Sequence, residues 1–497
     1  MEEDILVIPE RELENSRQPI NRLPFEVLSR IFVLCRANKD RKRGCPDLFR
    51  VTVLPSICRY WRNAAFETKA LWSLVTLSER PPFHFSALCL DRSGTTSPLD
   101  IEFELTSRLW RHIPDCKLDT RVKAVHGALT FIIAHGGVAS RWRSLWLRTP
   151  GGQVKELDLH IAALKIIGMF PMPSLQYVEL KCSVHDDNGK GQIRISSLPP
   201  KPLFCDPAPI RLRVAKLEWV PSSYLFANPN HLQLVSLSHL EIRFPADLPQ
   251  LEHMHTLLCA SPMLEVLLLD LRATRPHSPV DLIHLPRINF PGLRALGLSV
   301  NSRIRTPRWG HNLLLMIDAP NVESLQFQLE YSGADASQDR ELIDYITRGT
   351  NPASPRPLFP SVTGLELSID QDYTRLFEQF LTAYSQITIL SLPRPTDAQL
   401  EALPIEPWLV PDLSYLIVYA SPKSPLKAII AERCGAGLPL KRVLVEIPPM
   451  PQSLVGRAES RIREQLQGLG TRIALSKSND RARKVLGFVE DWDGGYT

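Results

Sequence analysis

A metal centre needs several imidazole, thiolate or carboxylate groups at fixed spacing, and the nearest approach in this chain is Glu252-His253-Met254-His255. No third ligand stands in register with the two histidines, and His-Glu-x-x-His is absent. His135-Gly136-Gly137 has the composition of an oxyanion-hole loop, yet no Gly-x-Ser-x-Gly accompanies it, so it reads as the glycine end of a helix. Asn188-Gly189-Lys190-Gly191 lacks the upstream glycine of a phosphate loop. The nine cysteines are an odd number without a Cys-x-x-Cys, which fits small hydrophobic side chains in a reducing compartment. The sequence therefore predicts no catalytic residue, no metal ligand and no cofactor, and a protein that is not an enzyme. The rival reading from that class is an enzyme with its site in a long linker, for instance near residues 185–206.

The bulk properties agree with a binding protein. The chain has 497 residues, 44% of them hydrophobic and 22% charged, and a net charge of only +5. That is enough chain for several domains or one extended array, without the concentrated basic surface of a nucleic-acid binder. The basic runs Arg36, Lys39, Arg41, Lys42, Arg43 and Arg481–Lys484 read first as solvated, with a nuclear address or phosphate-facing patch as the alternative. The acidic start Met1-Glu2-Glu3-Asp4 is not a secretory n-region, and no apolar run is long enough to span a bilayer. The expectation is a protein of the cytoplasm or nucleus, not secreted, with neither membrane nor nucleic acid as partner.

With 43 prolines against 24 glycines, the chain points to many short strands with proline-punctuated turns. One pattern recurs, apolar-x-x-apolar-x-apolar. It is clear at Leu175/Val178/Leu180, Leu237/Leu240/Ile242, Leu264/Leu267/Leu269, Leu293/Leu296/Leu298 and Val322/Leu325/Phe327. It continues at Val362/Leu365/Leu367, Ile387/Leu390/Leu392, Leu413/Leu416/Val418 and Leu440/Val443/Val445, with Trp142/Leu145/Leu147 and Val214/Leu217/Trp219 as earlier members. Pro173, Pro262, Pro291, Pro320, Pro360 and Pro411 each stand just before it, where a turn precedes a strand.

In a strand, alternate residues face opposite ways, so the last two apolar positions point into a shared core and the residues between them point out. Stacked units then hold one another up. The array looks like irregular leucine-rich repeats over about residues 138–447, with a curved parallel sheet. Its outward face offers Glu179, Lys181, Glu241 and Arg243 near the start, small residues and then Gln326 and Gln328 in the middle, and Tyr415 and Tyr419 at the far end. Mixed charge with aromatic anchors suits a protein surface or peptide, and these eight are the candidate substrate-binding residues.

The N-terminal region is built differently. Leu23-Pro24 opens a helix, with proline in the first turn where its missing N–H costs nothing. Val27, Leu28, Ile31 and Phe32 then recur at helical spacing, and a second apolar helix carries Ile57, Cys58 and Trp61 before Leu71-Trp72. So little apolar material makes no deep core and calls for a neighbour or a partner.

Leu23, Pro24, Glu26, Val27, Leu28, Ile31 and Phe32, with Cys58, Arg59, Trp61 and Leu71-Trp72, resemble an F-box. The likeness covers roughly 60 residues and departs from the family at the basic insertion Arg36–Arg50. The whole layout resembles the F-box proteins numerous in mushroom-forming fungi. The resemblance implies a three-helix motif docking on the Skp1 adaptor of a cullin-RING ubiquitin ligase. It assigns that contact to Ile20, Leu23, Pro24, Val27, Leu28, Ile31, Phe32 and Trp61.

The expected fold class is therefore α/β, a short N-terminal helical F-box followed by a leucine-rich-repeat-like solenoid. The expected organisation is a flexible start (1–18), the helical domain (19–80), a linker with a capping helix at Val122–Ala134 (81–137), the solenoid (138–447), and a C-terminal cap and mobile tail (448–497). The expected function is the substrate-recognition subunit of an SCF-type ligase, with Skp1, a cullin reached through it, and an unknown target protein as partners. The alternative is a leucine-rich-repeat scaffold without a ligase role.

Overall fold

The computed structural model describes residues 13–15, 17–37, 48–77, 81–105, 118–149, 154–182, 198–228, 231–245, 247–272, 285–302, 306–330, 337–350, 353–369, 374–419, 425–447, 452–466, 471–476 and 486–487. The basic insertion around residues 38–47, the start of the chain, residues 183–197 and nearly all of the tail lie outside the described residues. The chain divides into two compact units, the first drawn chiefly from residues 1–187 and 203–212, the second from 188–202 and 213–491.

The first unit opens with helices α1 (Phe25–Ala37), α2 (Leu48–Ile57) and α3 (Arg59–Glu67) and a 3-10 turn over Lys69–Trp72. Pro24 lies just before α1, and its carbonyl accepts from the Leu28 N–H. The Cys58 thiol caps α3 by accepting from the Trp61 N–H. Phe32 of α1 meets Trp61 of α3 with ring centroids 5.1 Å apart. Thr68 Oγ1 donates to Ser29 Oγ (2.8 Å), and Trp72 Nε1 donates to the Ala65 carbonyl (2.7 Å). The chain then runs straight into the parallel strands β1 (Leu74–Leu77), β2 (Leu99–Glu104), β3 (Trp142–Thr149) and β4 (Tyr177–Cys182). Helices α4 (His84–Ser93), α5 (Leu118–Ala134) and α6 (Val154–Ile167) make the crossovers that parallel strands require.

Among the described residues the second unit holds ten parallel strands of one sheet: β5 (Val214–Glu218), β6 (His239–Arg243), β7 (Val266–Asp270), β9 (Ala295–Asn301), β11 (Ser324–Glu330), β12 (Gly364–Ile369), β13 (Ile389–Leu392), β14 (Tyr415–Tyr419), β15 (Arg442–Glu446) and β16 (Arg472–Ser476). β8 (Ile288–Asn289) and β10 (Ile317–Asp318) pair separately. Leu240, Leu267, Leu296, Leu325 and Leu365 are successive register partners, followed by Leu390, Leu416 and Val443. All eight are buried. Their burial in one continuous row is the core that the sequence pattern calls for.

The prolines have a definite place. The N–H of Leu175, Leu264, Leu293, Val362 and Leu413 each bonds the carbonyl three residues back, at Met172, Ser261, Phe290, Phe359 and Val410. Pro173, Pro262, Pro291, Pro360 and Pro411 therefore occupy the second position of a β-turn, which fixed φ favours and which needs no donor.

The strands differ from the expected limits in three ways. They begin at β1 and β2 and run on to β16, beyond residues 138–447 at both ends. Trp72/Val75/Leu77 obeys the same spacing as the later units, with Val75 and Leu77 paired to Ile101 and Phe103. The expected capping helix, observed as Leu118–Ala134, joins β2 to β3 and buries Val125, Ala128, Leu129 and Ile132, so it is an internal crossover. Finally, Leu217 pairs with Ile242 and Ala215 with Leu240, so the unit at β5 reads Leu212/Ala215/Leu217 rather than Val214/Leu217/Trp219. Trp219 leaves the strand with a left-handed φ of 63°. The spacing rule was misled there because alanine holds the middle core position.

Candidate interaction surfaces

Helix α1 carries two apolar stripes. Leu28 and Phe32 are completely buried inside the helical module, and Val33 lies beside them. Pro24, Val27, Ile31 and Leu34 follow one another at intervals of three and four and form a second stripe. Val27 is 44% exposed, Leu34 is 56% exposed and Ile31 is half-buried. Ile20, Ile57 and Tyr60 are also exposed. Tyr60 is held by donating its hydroxyl to the Leu23 carbonyl (2.8 Å), and Trp61 by donating Nε1 to Asn21 Oδ1.

The eight residues expected at the adaptor contact thus divide. Leu28 and Phe32 are core side chains, and Phe32 meets Trp61 on α3. Leu23, Ile31 and Trp61 are half-buried, while Ile20, Pro24 and Val27 are open to solvent. Leu34 lies outside the expected contact although it continues the three-and-four spacing from Pro24, and Ile57, expected on the second apolar helix, is a further exposed apolar side chain.

The outward sheet face in the first unit is a mesh of charge and aromatic rings. Arg143 pairs with Asp100 (2.6 Å), and the Ser144 hydroxyl also donates to Asp100. Arg148 lies 3.5 Å from both Glu102 and Glu179, and Tyr177 donates to Glu179 (2.6 Å) beside Trp146. Burial opposes the charge on Arg148, but the surrounding carboxylates outweigh it and raise its pKa. Glu179 is therefore engaged on two sides, and Lys181 is exposed.

In the second unit, Glu218, Arg243, Asp270, Arg272 and Glu330 form a ladder of ion pairs at 2.7–3.5 Å. Arg243 is committed to that ladder, and Glu241 is half-buried nearby in the sequence. Burial works against ionisation of Asp270, yet Arg272 and Arg243 hold its pKa below the ordinary value. Gln326 and Gln328 both donate amide hydrogens to Glu366 Oε1, at 2.7 and 3.0 Å. Glu366 itself is fully buried on this outward face. Tyr415 is exposed, whereas the Tyr419 hydroxyl is raised in pKa by burial and by Glu446.

Sequence reasoning missed the apolar part of the outward face. Val266 and Leu268 point outward and are buried with Ala295, and Ile417 and Leu444 form a second outward cluster with Ile389 and Ala474 against it. A signal was present, since strands such as Val266-Leu-Leu-Leu269 are apolar at consecutive positions, which marks burial on both faces.

The residues that resembled chemistry do not assemble. His253 stacks on Phe226 with centroids 5.6 Å apart, and His255 Nε2 lies 3.0 Å from the Pro286 carbonyl. Among the described residues no group of three or more metal-ligating side chains occurs, and no helix is long and apolar enough to cross a membrane. Gly136 and Gly137 follow the end of α5. Lys190 and residues 185–197 lie outside the described residues. No family model and no curated protein matches the chain.

Proposed function

We propose that the chain is the substrate-recognition subunit of an SCF-type ubiquitin ligase. The N-terminal helices bind a Skp1-type adaptor, which links the chain to a cullin, and the parallel-strand array binds a target protein. The supporting observation is the second stripe of α1. Pro24, Val27, Ile31 and Leu34 are apolar, aligned and turned away from the module's own core. An isolated exposed leucine needs no explanation, but a stripe on a helix whose other side is already packed fits a partner surface. The chemistry lies elsewhere in such an assembly. The chain would supply proximity, raising the effective concentration of target lysines at the ubiquitin-carrying enzyme.

The test uses Val27→Asp with Leu34→Asp, since both side chains are substantially exposed. The double variant is expected to keep its circular dichroism and melting temperature and to lose co-purification with Skp1. Retained co-purification would refute the docking surface. Absence of binding by the unaltered chain would leave a scaffold without a ligase role.

A further inference from the structure

Leu486 belongs to the C-terminal region, ten residues past the end of β16, and is 1% exposed. It joins Val266, Leu268 and Ala295 in one buried cluster, with Ile389 packed against that cluster. All four of these partners stand at outward strand positions. The register explains the place. Ala295, Ser324 and Gly364 are direct partners on β9, β11 and β12, so three small residues lie side by side. Val266 on β7 extends the same row on one flank and Ile389 on β13 on the other. A run of three small side chains between two branched ones is a depression in the sheet face. Leu486 fills it closely, because a Cβ added at Gly364 would lie 2.8 Å from Leu486 Cδ2. Gly364 keeps the space that leucine needs.

We propose that this depression is a leucine-accepting socket for an extended peptide, and that Leu486 is its internal occupant, displaced when a target binds. This rests on reading the outward face as the target-binding surface. Leu486 is preceded in the sequence by Arg481-Ala-Arg483-Lys484-Val485. The ligand class is a peptide anchored by a leucine side chain. Tethering gives the tail an effective concentration on the order of millimolar, so a free peptide of the same sequence competes poorly until the tail is disarmed.

The test is fluorescence anisotropy with a labelled synthetic peptide of residues 478–490 and the full-length chain. Leu486→Asp protein should bind the peptide at least tenfold more tightly than unaltered protein. Adding Gly364→Ala to that variant should weaken binding, and Leu486→Asp within the peptide should abolish it. Leu486→Ser serves the same purpose if the aspartate variant does not fold. Equal binding to unaltered and Leu486→Asp protein, binding to neither, or binding of the aspartate peptide would overturn the socket. Skp1 binding measured on the same samples separates the two readings, since retained adaptor binding without peptide binding rejects the socket alone.

Discussion

His160 offers a quantitative test of the packing in the first unit. It sits on α6, fully buried, with Nδ1 3.0 Å from Thr149 Oγ1 at the end of β3. Burial pushes its pKa down from 6.5 to about 3. The folded protein therefore keeps a neutral imidazole where the unfolded chain accepts a proton. Stability is unaffected well above pH 6.5 and falls as the pH drops from there toward 3. At about 1.4 kcal/mol per pH unit, the loss between pH 7 and pH 5 is about 2 kcal/mol. Carboxylates also titrate in this range, so the comparison is with His160→Gln, which keeps a hydrogen-bonding group and carries no titrating proton. Urea unfolding of both proteins at pH 7 and pH 5 isolates the histidine. The unaltered protein should lose about 2 kcal/mol more than the variant on acidification. An equal loss in both would refute the buried neutral imidazole.

Two further predictions follow from burial at the N-terminal end. Leu28→Ala should destabilise the helical module by about 2–5 kcal/mol, whereas Val27→Ala should change stability by no more than about 0.5 kcal/mol, as read by denaturant unfolding. Trp72 both closes the helical module and holds the first core position of the array, so Trp72→Ala should cost about 3–5 kcal/mol. Amide exchange should then quicken in α3 and β1 together, and quickening confined to either would contradict the shared role.

Much of the array was legible because its signal is periodic. Apolar residues that repeat at intervals of three and two have few other ways to be buried, and outside β5 the middle and last positions of the pattern are register partners. The exceptions have local causes. At β5 alanine fills a core position, so the spacing locked two residues too late. At β2 a register shift between Leu99 and Asp100 breaks the spacing that would have marked the strand. At β1 the pattern was present but also served as the end of the helical resemblance. The candidate sites were less legible. Helical periodicity locates an apolar surface without saying which stripe faces inward, and packing within the helical module decides it, through Trp61 in the case of Phe32. The charged face residues were readable one by one, but the Arg243–Asp270–Arg272 ladder depends on which strands are neighbours. Leu486 sits in the short apolar run Val485–Val489 and belongs to no repeating pattern. Only the row of Ala295, Ser324 and Gly364 opposite it gives it meaning.

The proposed docking surface is the outward stripe of α1. Its most direct measurement is amide hydrogen exchange of the full-length chain with and without purified Skp1. Docking there should add protection over residues 20–34 and 57–61 and leave the sheet strands unchanged. No protection there in a formed complex, or protection confined to the sheet face, would contradict it.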